Sequence, residues 1–103
     1  MSKRLEMLEK MAASGKADAF ALYALAMEYR NVGRIPDALT TFEKLRETDA
    51  GYVPMYLMAG QLLLESERPH DAREWIEAGV EVATSKGDSK AKGELTALLA
   101  DCD

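Results

Sequence analysis

Apolar residues recur along this chain about every 3.6 residues, the spacing that gathers them on one side of an α-helix. No run of β-branched residues interrupts this pattern to indicate a strand. The pattern predicts an all-α protein of about six helices. Only a few residues separate one helix from the next, and such short connections favour antiparallel neighbours. The predicted architecture is therefore a stack of helical hairpins.

The predicted helix boundaries rest on capping residues and helix breakers. A first helix covers about residues 3–13 and ends before Gly15. Asp18 is predicted to cap the second helix, because an aspartate carboxylate accepts hydrogen bonds from the unpaired N–H groups of a first turn. Gly33 supplies a left-handed stop, and Pro36 suits the first turn of the third helix because its missing N–H would have no partner there.

The same signals place the remaining three helices. Pro54 and Pro69 are predicted to open the fourth and fifth helices. Gly87 ends the fifth helix, and either Asp88 or Ser89 caps the sixth. The second helix carries apolar side chains around most of its circumference, which predicts burial on more than one side.

Two segments of the chain share one frame, 34 residues apart: RIPDALTTFEKL at 34–45 and RPHDAREWIEAG at 68–79. Four residues keep their places, namely Arg34, Asp37, Ala38 and Glu43, which recur as Arg68, Asp71, Ala72 and Glu77. Each segment predicts the start of the second helix of a hairpin, where a carboxylate in the first turn complements the helix dipole. The alanine that follows is small enough to let a partner helix approach closely.

This period and pattern resemble the tetratricopeptide repeat, a helix-turn-helix unit that reads W-x₂-L-G-x₂-Y, then A-x₃-F, then P. In the first repeat the matching residues are Leu22, Leu25, Ala26, Tyr29, Ala38 and Phe42. In the second repeat they are, in the same register, Tyr56, Ala59, Gly60, Leu63, Ala72 and Ile76. The sequence departs from the pattern at the first aromatic place, which holds no Trp, and at the terminal Pro, where Ala50 and Thr84 stand.

The resemblance implies a right-handed superhelical stack of antiparallel hairpins that forms a single domain over residues 1–103. Within it we expect an N-terminal capping helix at 1–16, one repeat at 18–51, a second repeat at 52–86 and a C-terminal capping helix at 87–103. The flanking helices are interpreted as caps because a stack cannot end on bare apolar faces. A cap at each end favours a complete unit.

The resemblance also implies a function, since tetratricopeptide arrays act as scaffolds that bind peptides or proteins on a concave face formed by the first helices of the repeats. The residues of this chain that project onto that face are Phe20, Tyr23, Met27, Arg30, Leu57, Met58, Gln61, Glu65 and Lys92. Aromatic residues and Met are enriched at the cores of interfaces. The expected partner is a hydrophobic or amphipathic segment of a protein or peptide.

Two other roles for the same side chains stay open. Tyr23, Met27 and Met58 can instead pack on one another as core residues. A second copy of the chain can also cover an apolar face, and a symmetric dimer is the commonest homo-oligomer. A structural homo-oligomerisation module is therefore the alternative function.

One subfamily of these repeats binds the C-terminal carboxylate of heat-shock chaperones through a clamp of basic residues and asparagines. The matching places in this chain hold Tyr23, Met27, Met58, Asp88 and Lys92. Only Lys92 could serve in such a clamp. The sequence therefore argues against a chaperone carboxylate as the ligand.

Composition and charge exclude several other classes of protein. The chain has 103 residues, enough for one domain, of which 48% are hydrophobic and 30% charged. Its formal net charge is −5 and its basic residues are scattered, so no nucleic-acid partner is expected. The longest uncharged stretch, about residues 50–64, is too short for a membrane span, and charges near the N-terminus interrupt any signal peptide. The expectation is a cytoplasmic protein with no membrane partner.

Candidate catalytic and metal-binding residues are few. The only histidine, His70, is expected to face solvent with no nucleophile beside it, so neither an enzyme activity nor a cofactor is predicted. His70, Asp71 and Glu74 could share a metal ion, but acidic residues are common in a first helical turn for dipole reasons alone. Cys102, the only cysteine, cannot form an internal disulfide and is expected at a frayed end.

Overall fold

The computed structural model describes residues 3–102, so Met1, Ser2 and Asp103, at the ends of the two predicted capping segments, lie outside the described residues. The chain forms six α-helices and a short 3₁₀ helix: α1 (Lys3–Ala13), α2 (Ala19–Asn31), α3 (Ile35–Thr48), α4 (Val53–Glu65), α5 (Pro69–Lys86), α6 (Ser89–Leu99) and the 3₁₀ helix (Ala100–Cys102). Residues 3–102 contain no β-strand, and the prediction of an all-α fold is confirmed.

Two compact units divide the chain between Ala50 and Gly51. The first unit holds α1, α2 and α3, and the second holds α4, α5, α6 and the 3₁₀ helix. In each unit the helices that follow one another in sequence pack together, and in the second unit α4 also packs against α6. The finer division into two caps and two repeats stays a prediction.

The helices begin and end at the residues that the capping signals predict. The carboxylate of Asp18 accepts a hydrogen bond from the Ala21 N–H at 2.8 Å, and that of Asp88 accepts one from the Ala91 N–H at 3.0 Å. Gly33 has φ of 82°, a left-handed conformation that costs glycine little. Three helices have a proline at one of their first two positions, namely Pro36, Pro54 and Pro69.

An arginine precedes the second helix of each hairpin and pairs with an aspartate in its first turn. Arg34 donates through Nε to Oδ2 of Asp37 at 2.9 Å, and Arg68 donates in the same way to Asp71 at 2.9 Å. The frame repeats in the sequence partly because this ion pair repeats in the structure. Sequence reasoning assigned the aspartate to the helix dipole and missed the arginine. Both pairs are exposed, so each contributes little stability.

Helix α1 is attached to the first unit by its apolar side and by a polar cluster. Leu5 and Leu8 are buried, and Arg4 forms an ion pair with Glu28 of α2 at 3.2 Å. The hydroxyl of Tyr29 donates to Oε2 of Glu9 at 2.7 Å, joining α2 to α1.

Arg34 completes this cluster from the start of α3. Its guanidinium lies 4.6 Å from the centroid of the Tyr29 ring and 3.6 Å from Oε2 of Glu9. A cation placed over an aromatic face is attracted by the ring quadrupole, so Arg34 helps to hold Tyr29 in place. Burial, followed by the hydrogen bond to Glu9, raises the pKa of Tyr29 to about 12.

The raised pKa of Tyr29 predicts a loss of stability at high pH. The folded state favours the neutral phenol, so the stabilisation is complete below pH 10.0, the ordinary pKa of tyrosine, and disappears as the pH rises to about 12. We expect the free energy of unfolding of the wild type to fall, over this pH interval, relative to that of Tyr29→Phe. Urea titration at each pH measures both free energies. Lysine ionisation is common to both proteins and cancels. A difference that stays constant from pH 9 to pH 11.5 would contradict the prediction.

Small buried residues let the two helices of each hairpin approach. Ala26 and Ala38 in the first unit, and Ala59 and Ala72 in the second, are fully buried. Phe42 of the first unit is also fully buried. This arrangement matches the interpretation of the small residues as contact positions.

The second unit contains a further contact that the sequence pattern did not reveal. A Cβ atom on Gly79 of α5 would lie 2.5 Å from Cβ and 3.0 Å from Cγ of Tyr56, and 3.2 Å from Cδ1 of Leu95. The positions one repeat earlier hold Leu45 and Leu22, both buried. A large tyrosine facing a glycine in the second unit thus replaces two leucines at the matching positions in the first.

This packing predicts opposite effects for the same substitution at two helical glycines. Gly79→Ala should lower the free energy of unfolding, because overpacking against the near-backbone Cβ of Tyr56 costs about 1–3 kcal/mol, more than the ~1 kcal/mol that alanine gains in helix propensity. Gly93→Ala on α6 should raise it by about 0.5–1 kcal/mol, since no atom lies within 4 Å of the added Cβ. Chemical denaturation of both variants measures the two changes, and a Gly79→Ala protein as stable as Gly93→Ala would refute the contact.

Candidate partner-binding surface

Helices α4 and α6 of the second unit present a shared surface, which we call the α4–α6 face. On α4 it comprises Pro54, Leu57, Gln61 and Glu65, which follow one another at intervals of three or four residues and therefore lie on one side of the helix. On α6 it comprises Lys90, Ala91, Glu94, Leu95 and Leu98, continued by Asp101 in the 3₁₀ helix. Two shallow depressions lie along this face.

The first depression has a volume of about 210 Å³ and lies near the start of both helices. Its apolar lining includes Leu57 from α4 and Ala91 and Leu95 from α6. Lys90 and Glu94 contribute charged groups to its border. An apolar floor with polar groups at the border is the usual composition of a binding surface.

The second depression has a volume of about 350 Å³ and lies near the ends of the same helices. Leu64 and Leu98 supply its apolar part, and Gln61 supplies an amide. Glu65 and Asp101 add two carboxylates. The two depressions together give the face apolar patches over roughly three helical turns, with carboxylates in both.

Five of the predicted site residues belong to the second unit, and three of them line these depressions. Leu57 lines the first, while Gln61 and Glu65 line the second. Met58 is half-buried on α4 and Lys92 is exposed on α6, and neither lines either depression.

The other four predicted site residues lie on α2 of the first unit. Phe20 is 67% exposed, the most exposed large apolar side chain identified. Tyr23 is half-buried and meets the ring of Phe42 edge-on, with 6.4 Å between the ring centroids. Met27 and Arg30 are half-buried. Tyr23 therefore contributes to packing within its unit, whereas most of the Phe20 side chain is exposed. The prediction that all nine residues serve one groove stays a prediction.

Sequence reasoning missed the carboxylates of the α4–α6 face on α6 and the 3₁₀ helix. Glu94 directly precedes Leu95, and Asp101 stands three residues after Leu98. Leu95, Leu98 and Leu99 recur at helical spacing along α6, and the residues beside such an apolar stripe are the ones that can border a surface depression. The sequence contains this signal, but it does not show which side of α6 packs against α4.

The alternative metal site has no support from the geometry. His70 and Glu74 line a depression of about 410 Å³ formed by α5 alone, together with Arg73, Glu77, Ala78 and Glu81. Asp71 is engaged by Arg68. Residues 3–102 contain no group of three His, Cys, Asp or Glu side chains that could hold a metal ion.

The expectation that Cys102 is accessible at a frayed end is wrong. Its side chain is 7% exposed, and its Sγ lies 4.0 Å from the Leu98 carbonyl oxygen. Cys102 ends a 3₁₀ helix that packs against both α5 and α6, and its thiol is buried there. No capping or turn residue in the sequence after Leu99 predicts this extra helical turn.

No established family profile matches this chain. A curated tetratricopeptide repeat-containing protein of Pseudomonas aeruginosa is 28% identical to it over 99 residues, which cover 96% of this chain and 94% of that protein. In residues 3–102, no helix combines the length and the apolar character required to cross a membrane.

Solved structures give the same relationship. A tetratricopeptide repeat domain protein of Salinibacter ruber is 36% identical, and its solution and crystal structures superpose with TM-scores of 0.78 and 0.77. These matches cover 82% of this chain and 86% and 96% of the two solved chains. A protein of Bordetella parapertussis is 25% identical with a TM-score of 0.82, covering 99% of this chain and 89% of its own.

The helix order and the likeness to these structures first define a class, the all-α helical-repeat proteins. The resemblance seen in the sequence is confirmed by relatives that match in both sequence and structure. The chain belongs to the tetratricopeptide repeat family.

The burial of Cys102 predicts a protected thiol. In native conditions its reaction with an aromatic disulfide reagent should be at least about tenfold slower than in denaturant, because the reagent needs the opened state to reach the sulfur. The absorbance of the released thiolate gives both rates. Equal rates in the native and denatured protein would contradict the burial of the thiol.

Proposed function

We propose that this protein is a non-enzymatic interaction scaffold that binds an apolar or amphipathic segment of a protein or peptide, without a cofactor. Membership of a family of interaction scaffolds supports the general role. The observation that carries the specific proposal is the α4–α6 face, where half-buried Leu57 adjoins apolar side chains of α6 in a shallow depression. An open apolar surface of this kind gains free energy when a ligand removes it from water.

Phe20 supports a separate partner contact on α2 of the first unit. A phenyl ring that is 67% exposed contributes little to the stability of its own unit. Aromatic side chains of this size are frequent anchors at interfaces. We propose that the nine residues identified from the sequence serve partner binding, with Tyr23 acting mainly as support through its contact with Phe42. A cytoplasmic location stays a prediction from the sequence.

The proposal predicts where a suitable ligand binds. The probe is a designed peptide in which leucine recurs at helical spacing and glutamine fills the remaining positions. We expect its addition to shift amide resonances of the α4–α6 face in two-dimensional NMR spectra. Leu57→Gln should weaken binding by roughly tenfold or more, because a leucine side chain contributes about 1.5–3 kcal/mol when fully buried.

The matched control is Ala78→Gln, which places the same side chain in the depression formed by α5 alone. It should leave the affinity unchanged. Absence of any shift at millimolar peptide, or shifts confined to α5, would overturn the proposed surface.

The alternative function, homo-oligomerisation, makes a different prediction for the protein alone. Light scattering across a range of concentrations measures the solution mass. A dimer that Leu57→Gln converts to a monomer would assign the face to self-association. A monomer at all concentrations would leave the face available for another protein.

A further inference from the structure

The charges along the α4–α6 face restrict the chemistry of its ligand. Four exposed carboxylates line the two depressions: that of Asp88, and the three of Glu65, Glu94 and Asp101. Lys90 is the only lysine or arginine among the residues lining them, and it stands at one end. The aspartate at position 88 already caps α6. The rim of the apolar surface therefore carries a net negative charge.

We infer that the α4–α6 face selects a basic amphipathic segment, one with apolar residues on one side and lysine or arginine beside them. The inference rests on the proposed function, because it names the partner chemistry of that same surface. A hydrophobic segment flanked by glutamate or aspartate would bring like charges to the rim, an arrangement that interfaces avoid.

The dimensions of the face suit a short segment. From Pro54 to Glu65 the helix advances eleven residues, which at about 1.5 Å per residue is roughly 17 Å. An amphipathic ligand helix of about three turns spans this length. Its apolar side chains would reach Leu57 and Ala91 in the first depression and Leu64 and Leu98 in the second.

The position of the carboxylates indicates what the charges contribute. All four groups are exposed, so their attraction for a ligand is moderated by water and by salt. The apolar contacts supply most of the affinity, and the rim charges supply the preference between ligands and faster association. This separation makes the two contributions measurable one at a time.

The experiment uses three peptides that share one leucine pattern and differ at the remaining positions, which hold lysine, glutamine or glutamate. Fluorescence anisotropy measures the affinity of the protein for each. At low salt the lysine peptide should bind about tenfold or more tightly than the glutamate peptide. The difference should shrink severalfold at about 0.5 M salt, because exposed charges are screened at that ionic strength.

A matched pair of double variants separates the local rim from the overall charge of the protein. Glu94→Lys with Asp101→Lys reverses the rim, whereas Glu77→Lys with Glu81→Lys makes the same change in net charge on the outer side of α5. The first pair should remove or invert the preference for the lysine peptide. The second should leave most of it, and circular dichroism checks that both variants stay helical.

The outcomes distinguish this inference from the proposed function. Equal binding of all three peptides, still weakened by Leu57→Gln, would retain the proposed function and overturn the charge preference. A preference for the lysine peptide that both double variants reduce equally would attribute it to overall charge and also overturn the inference. Failure of all three peptides to bind would overturn the proposed function itself.

Discussion

The close approach of the two helices in each hairpin is the constraint on which the structure depends. Helices pack closely only where the side chains between them are small. Three small residues are fully buried in the two hairpins: Ala26 in the first unit, and Ala59 and Ala72 in the second. In the second unit Gly79 tightens this requirement, because Tyr56 occupies the space that a Cβ atom would need. The large aromatic and aliphatic residues then fill the space around these contacts and supply most of the apolar burial.

The packing of α4 against α5 determines which side chains of α4 are left for the surface that it shares with α6. Tyr56 and Gly60 of α4 lie against Gly79 and Ile76 of α5. α4 also packs against α6, and Leu57, Gln61 and Leu64 are left half-buried. Leu57 and Gln61 line depressions with α6 for that reason. The surface proposed for partner binding is thus a geometrical consequence of where the core lies.

Polar groups give each unit features that its core does not supply. In the first unit Tyr29 joins α1 to α2 through Glu9, and Arg34 lies over its ring, so a residue of the repeat pattern also attaches the flanking helix. In the second unit the position matching Tyr29 is Leu63, which is buried and has no hydroxyl. There, exposed charged groups lie on the rim of the α4–α6 face, where water moderates their interactions.

The sequence by itself determined the helices, their caps and the family, because periodicity, capping and residue size act locally or recur after 34 residues. It also identified Leu57 and Gln61 as surface candidates through the repeat register. Only the tertiary structure decided that Glu94 and Asp101 border the same depressions, since that depends on the rotation of α6 against α4. It likewise decided the burial of Cys102, because a terminal turn is ordered by contacts with α5 and α6 and not by any signal of its own.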